Sequence, residues 1–405
     1  MIKYKGALGG ALALAVAAGV TADALAGDDV SRRNAAAAVT AAGSTHAGDH
    51  ARLRELLHRL TTVDGAPGAL VEMRNRRGSS VLTSGVADVK SRAPVHRDSK
   101  FRIGSMTKPF VATVVLQLVG ERRVVLDAPV ERYLPGVVRG NGNDGRLITV
   151  RQLLQHTSGL PDVVKYLNPQ DVLKDPLAHR DPRDLVNIAL AHEPTFKPGK
   201  GWAYSNTGYL LAGMITERVT GHSYGEEIDR RIIKPLRLRE TYAPGDGPAI
   251  PKPHPRGYAR PGENAPLIDI TAINPSIGGA GAELISSGHD VNRFLDALVR
   301  GRLLRPAQLR QMMKTRPTNT KGREYGLGLE SRQLPCGGIY WGHTGDFFGF
   351  ETAGGATVDG RQATVMANLG PGGPDAQSDD IKATVQTALC EARRGSLGPG
   401  GGDAG

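Results

Sequence analysis

The period of the apolar positions changes along this chain, and each change marks an element. From Asp49 to Leu60 the apolar residues Leu53, Leu56, Leu57 and Leu60 recur at three- and four-residue spacing, which predicts an amphipathic helix. Two short apolar runs follow, Gly68 to Met73 and Ser80 to Thr83, separated by the polar stretch Arg74-Asn-Arg-Arg-Gly78. That order predicts an antiparallel hairpin. The stretch from Phe101 to Leu118 carries Phe110, Val114, Leu116 and Leu118 and predicts a buried helix. Residues 119–270 read as mostly helical, with helices over 150–155, 184–191 and 206–220, the last stopped by Gly221. The Pro- and Gly-rich segment 244–266 predicts surface loop. After Ile277 short strand-like runs return at 325–329, 339–341, 349–352 and 363–367, between helices at 290–299 and 381–392.

Strands at both ends with helices between them predict one sheet built from the two ends of the chain. The expected fold class is α+β, with a discontinuous α/β domain over 49–118 and 277–394 and an inserted helical domain over 119–276. An active site would lie at the seam between them, where pockets commonly form.

Length and composition fit this picture. The chain has 405 residues, 40% of them apolar and 22% charged, so it can bury a sizeable core. Its formal charge is +11. The arginines are scattered, with no dense basic run, no zinc-finger spacing and no basic stripe interleaved with aromatics, so nucleic acid is not an expected partner. Lys3 and Lys5, the small apolar run from Ala7 to Val20 and Ala24-Leu25-Ala26 read as a signal peptide over 1–26, cleaved to leave a chain of +10. No cysteine stands directly after that cleavage site and no later stretch would span a bilayer. A secreted, extracellular or periplasmic monomer without a permanent membrane anchor is therefore expected. Residues 27–48 read as a flexible leader and the glycine-rich 395–405 as a disordered tail. Cys336 and Cys390 stand alone, and in an oxidising compartment one disulfide is the economical reading. No His-Glu-x-x-His occurs, so no metal or other cofactor is implied.

Candidate chemistry begins with Ser105 and Lys108, the one Ser-x-x-Lys in the chain. Three residues is just under a helical turn, so hydroxyl and amine would project from one face. A buried, neutral lysine can take the serine proton or relay it. The nearby helix start offers backbone N–H groups to a developing oxyanion. Tyr204-Ser205-Asn206 lies in a loop entering a helix; a phenolate at Tyr204 could serve as base, and the Asn206 amide could grip a carbonyl. His343-Thr344-Gly345 suits a substrate that docks along a strand edge, with His343 and Thr344 meeting a carboxylate and Gly345 allowing close backbone approach.

In this order the three motifs resemble the serine beta-lactamase and D-alanyl-D-alanine carboxypeptidase family, with its penicillin-binding proteins. The resemblance runs from about Leu60 to Arg394 and rests on Phe101-Arg-Ile-Gly-Ser-Met-Thr-Lys108, Thr149-Val-Arg-Gln-Leu-Leu-Gln-His-Thr-Ser-Gly-Leu160, Tyr204-Ser-Asn-Thr-Gly208, Tyr325-Gly-Leu-Gly-Leu329 and His343-Thr-Gly345. It implies a five-stranded antiparallel sheet flanked by helices, plus an all-helical domain. Histidine in the third motif resembles the secreted carboxypeptidase branch, as does a Cys336–Cys390 pair. The resemblance implies acylation of Ser105, proton transfer shared by Lys108 and Tyr204, orientation of substrate by Asn206, and an oxyanion hole from the N–H groups of Ser105 and Asp346. His343, Thr344 and Gly345 would hold the substrate end. A peptidoglycan stem peptide or other D-amino-acid peptide is the implied partner, with a beta-lactam as suicide ligand. An esterase, a D-amino-acid amidase and a non-catalytic penicillin-binding module are the alternatives. Two residues bear on that choice: Glu330 stands where carboxypeptidase relatives tend to carry a basic residue, and Asp346 must point away from an anionic substrate end or the specificity differs.

Overall fold

Strands β1 (Gly68–Asn75) and β2 (Gly78–Gly85) form the expected hairpin, in register from Gly68↔Gly85 to Asn75↔Gly78. The computed structural model describes residues 50–262 and 265–394, so the expected signal peptide, leader and tail lie outside the described residues. The remaining strands of the main sheet are β3 (Arg316–Pro317), β4 (Arg323–Tyr325), β5 (Glu330–Gln333), β6 (Ile339–Phe347), β7 (Phe350–Ala356) and β8 (Gln362–Ala367). Their order is β2-β1-β8-β7-β6-β5-β4-β3, antiparallel throughout. The first strand thus pairs with the last, Ala69 opposite Ala367, and the two ends of the chain close one sheet.

The sheet has eight strands where five were expected. The difference lies at one edge, where β3, β4 and β5 are two to four residues long. The Tyr325–Leu329 run is not a single strand. It ends β4 at Tyr325 and then turns, with Gly328 at φ +77°, into β5, which has no apolar signal of its own.

Both faces of the sheet are covered, which is why β1 and β8 read as continuous apolar runs rather than alternating ones. Ala69, Val71, Val365 and Ala367 point to helices α1 (Ala51–Thr62) and α6 (Asp375–Arg394), packing with Leu53, Leu57, Leu60, Ile381 and Leu389. Leu70 and Met366, one residue out of phase, point to the opposite core. That core contains α2 (Thr107–Gly120) and α5 (Gly288–Val299), whose Phe110 and Phe294 rings stack with centroids 3.5 Å apart. The same apolar cluster continues through Leu153 of α3 (Val150–Gln155) and Tyr209 and Leu211 of α4 (Asn206–Thr220). Sheet and helical segment therefore share one core. Residues Lys100–Arg102 pair with Ile285–Ser287, drawing together the chain on either side of the helical segment.

Local signals account for the helix ends that matter. Thr149 and Gln152 form a reciprocal capping box at the start of α3, and α4 stops at Gly221 in the left-handed conformation. Cys336 and Cys390 form a disulfide with Cα atoms 5.7 Å apart, tying the β5–β6 turn to α6.

Candidate active site

Ser105 does not sit on α2 itself. It lies in a 3-10 turn, Gly104–Met106, which feeds directly into α2. Two glycines permit this. Gly104 is at φ +52°, and a Cβ there would stand 2.6 Å from the carbonyl oxygen of Asp346. A Cβ on Gly345 would stand 2.0 Å from the carbonyl of Ile103. The nucleophile turn and β6 are thus pressed backbone to backbone. That brings the peptide N–H groups of Ser105 and Asp346 into one neighbourhood.

Lys108 is fully buried, and its Nζ lies 2.9 Å from Ser105 Oγ, 2.7 Å from Asn206 Oδ1 and 2.9 Å from the carbonyl oxygen of Gly281. Burial drives its pKa down from 10.5 to about 7, against the pull of Asp162 and Asp346. A neutral amine has two hydrogens and one lone pair. With carbonyl oxygens of Asn206 and Gly281 taking the two hydrogens, the lone pair is left for the Ser105 hydroxyl.

The Tyr204 hydroxyl faces Ser105, and its ring lies under the Lys108 ammonium position at 4.8 Å. Burial pushes its pKa well above the usual 10, only partly offset by the Ser105 hydroxyl. The phenolate considered as base is therefore disfavoured, because a buried phenolate would have lost its hydration. Tyr204 is held as a hydroxyl that can donate. His156 fixes its ring: the imidazole lies 4.2 Å from the Tyr204 centroid, and its Nδ1 accepts from the Ser205 N–H at 3.2 Å.

His343 is buried, and burial lowers its pKa to about 4. Its Nδ1–H donates to the Thr344 carbonyl, and Nε2 accepts from the Tyr325 hydroxyl at 2.9 Å. The ring expected to meet a carboxylate is a neutral strut. Thr344 is half-buried on the next position of β6. Asp346, one position past Gly345, is exposed and stands opposite Glu351 of β7. Strand alternation turns its side chain to the face away from Gly345. Strand β5 pairs with β6 only over Ile339–Gly342, so from His343 onward this edge of β6 has no strand partner among the described residues.

Glu330 decides the electrostatics around that edge. It is 2% exposed and takes Arg323 on one oxygen and Arg332 on the other, at 3.0 Å to the Arg332 guanidinium. Burial alone would raise its pKa, but Arg323 and then Arg332 outweigh burial and hold it at about 2. Both arginines are spent on it. Beside Ser105 there is consequently a neutral imidazole and a near-neutral amine, and the two guanidiniums at this edge, Arg323 and Arg332, are both paired to Glu330.

A family model described as Beta-lactamase matches residues 22–388, most of the chain. This chain belongs to the beta-lactamase family. Its fold superposes on a D-stereospecific amidohydrolase from Streptomyces sp. with a TM-score of 0.77 and 41% identity, covering 83% of this chain and 98% of that one. The D-amino acid amidase of Ochrobactrum anthropi SV3, solved with L-phenylalanine amide, follows at a TM-score of 0.73 and 27% identity, covering 85% and 99%. Among curated proteins, Penicillin-binding protein 4* of Bacillus subtilis is 27% identical over 69% of this chain. Esterase EstB of Burkholderia gladioli is 34% identical over 53%. The chain spans 63% and 60% of the length of those two relatives. The family comprises serine hydrolases with this fold, and the expected resemblance and fold class hold.

Within this family frame, the structure brings Ser105, Lys108, Tyr204 and Asn206 together and sets His343 to Asp346 beside them. Asp162 and Gly281 were not singled out in the sequence, and His156 and Tyr325, which lie inside the quoted motifs, were given no role there. Asp162 directly follows the quoted Thr149–Leu160 motif and Pro161, which is the signal that would have found it. Gly281 contributes a carbonyl, for which no residue type is a signal.

Proposed function

We propose that this protein is an exported serine amidohydrolase that cleaves amides and short peptides of D-amino acids through an acyl-enzyme on Ser105. Ser105 Oγ attacks the carbonyl carbon while Lys108 Nζ takes the hydroxyl proton. The oxyanion is received by the N–H groups of Ser105 and Asp346. Tyr204 donates its proton to the leaving amine and recovers one through Lys108. Water then adds to the ester, releasing the acid and restoring Ser105. Asn206 and the open edge of β6 position the substrate.

One observation carries the choice of substrate: Arg323 and Arg332 are both paired to Glu330, and His343 is held neutral. An uncharged amide end suits such a site better than a carboxylate, which needs a free cation. The 41% identity to a D-stereospecific amidohydrolase supports the same reading. The D-alanyl-D-alanine carboxypeptidase reading is kept as a second proposal, favoured by the strand edge of β6 and the similarity to Penicillin-binding protein 4*.

The test compares D-phenylalanine amide, its L-enantiomer and an acylated D-Ala-D-Ala peptide, alongside intact-mass detection of a penicillin adduct. The expected result is an adduct lost in Ser105→Ala and preference for the D-amide over both other substrates. A tenfold preference for the D-Ala-D-Ala peptide would establish the carboxypeptidase instead. No adduct and no turnover would point to a binding module.

A further inference from the structure

Asp162 ends the loop that follows α3, and its side chain is 2% exposed. One carboxylate oxygen, Oδ1, accepts from the Asn206 backbone N–H at 2.9 Å and from Asn206 Nδ2 at 3.0 Å. The first bond satisfies an N–H of the opening turn of α4, which has no intrahelical acceptor. The second does something more specific. An asparagine amide can sit either way round, with oxygen or NH2 toward a given neighbour. By drawing Nδ2 to itself, Asp162 leaves Asn206 Oδ1 as the end that faces Lys108 Nζ, 2.7 Å away.

The orientation matters because of what Lys108 must do. Were the amide reversed, an NH2 would confront the amine, and the lone pair of Lys108 would be drawn to it instead of to Ser105. With Oδ1 in place, Asn206 and Gly281 absorb both amine hydrogens and the lone pair is directed at the Ser105 hydroxyl. Asp162 also supplies a negative charge to the same pocket. Its second oxygen, Oδ2, is buried and has no hydrogen-bond partner among the described residues, so all the donors to this carboxylate, the two of Asn206 and the Val164 N–H at 3.4 Å, converge on Oδ1. Burial favours the amine form of Lys108; the charges of Asp162 and Asp346 oppose it, and the other titratable groups facing Lys108 are His156, His343, Tyr204 and Tyr209.

We infer that Asp162 is a positioning residue for the proposed reaction: through the Asn206 amide it aims the Lys108 lone pair at Ser105, and it keeps a carboxylate charge in the pocket of Lys108. The inference rests on the reading of Ser105 as nucleophile and Lys108 as its base.

The test uses the acylation rate of the full chain by p-nitrophenyl butyrate, a probe with no titrating group of its own. Asp162→Asn keeps the shape and an acceptor oxygen but removes the charge. Its acid limb is expected to move about one pH unit below that of wild type, because Lys108 loses a neighbour that favours its protonated form. Asp162→Glu keeps the charge on a longer arm, and its limb is expected to stay near the wild-type position while the plateau rate falls about tenfold or more. A limb that does not move in folded Asp162→Asn overturns the inference, as does a limb that moves equally in both variants. Should Asp162→Asn fail to fold, the Asp162→Glu profile alone decides: a downward shift of its limb refutes the charge argument. Ser105→Ala and Lys108→Met serve as controls. If they retain acylation, the hydrolase reading itself has failed, and the Asp162 result is then not its cause.

Discussion

Replacing Glu330 by glutamine removes one negative charge from between two buried guanidiniums and nearly preserves the volume. The magnitude follows from how strongly the folded chain holds the carboxylate. A carboxyl kept at about 2 instead of 4.5 binds its proton about 300-fold more weakly folded than unfolded, which amounts to about 3 kcal/mol. The sign is that of a depressed folded value: this stability is present above pH 4.5 and is lost as pH falls through about 2. Glutamine resembles the protonated form, so the Glu330→Gln variant should be about 3 kcal/mol less stable at pH 7. The loss of the carboxylate from between Arg323 and Arg332, at 7% and 16% exposure, is the physical source of that cost. Urea denaturation at pH 7, 4 and 2.5 measures the gap, which should be full at pH 7 and shrink toward pH 2. A gap under about 1 kcal/mol at pH 7, or one unchanged at pH 2.5, would refute the reasoning. The variant also tests function. With both guanidiniums released beside His343, cleavage of a peptide with a free C-terminal carboxylate should rise relative to the same peptide amidated, by severalfold in kcat/KM. An unchanged ratio would mean that these charges do not face the substrate.

Other perturbations probe the remaining supports. The rate of acylation by p-nitrophenyl butyrate should climb with pH through about 7, as Lys108 loses its proton, and a profile flat from pH 5 to 8 would exclude Lys108 as base. Gly104→Ala forces a Cβ to within 2.6 Å of the Asp346 peptide at a left-handed φ, so the nucleophile turn must separate from β6. Acylation should fall on the order of 100-fold while circular dichroism stays native. Replacing both Cys336 and Cys390 by serine releases a crosslink across 54 residues and should cost about 4 kcal/mol, read as a lower urea midpoint with kcat unchanged.

The sequence carried the parts of this fold whose signal is local. The leucine spacing of α1, the polar turn between β1 and β2, and the stop of α4 at Gly221 each state their own structure. Pairing of the first strand with the last was inferred from where the strand signals fall, and Ala69 does lie opposite Ala367. The edge strands were not legible. Glu330-Ser-Arg-Gln333 has no apolar residue to announce a strand; it is recruited by the backbone of Ile339–Gly342, and tertiary pairing overrides its composition. In the candidate site, Ser105 and Lys108 were visible because their spacing is set within one turn. Asp162 and the Gly281 carbonyl were not, since each reaches Lys108 across a distant part of the chain.

Substrate choice was the least legible property, and the reason is electrostatic. In the sequence Glu330 stands out as an acid where carboxypeptidase relatives tend to carry a base, and its partners are not visible. Folded, two guanidiniums share one buried carboxylate, and burial strips the charge from the imidazole. A carboxylate-terminated substrate approaching this edge of β6 would have to give up hydration without gaining an unpaired partner, whereas an amide loses far less. The same motif letters therefore fit a carboxypeptidase or an amidase, and the difference lies in whether one glutamate is close enough to occupy both arginines. Burial and pairing, which no single motif encodes, are what carry the proposed substrate preference beyond the family resemblance.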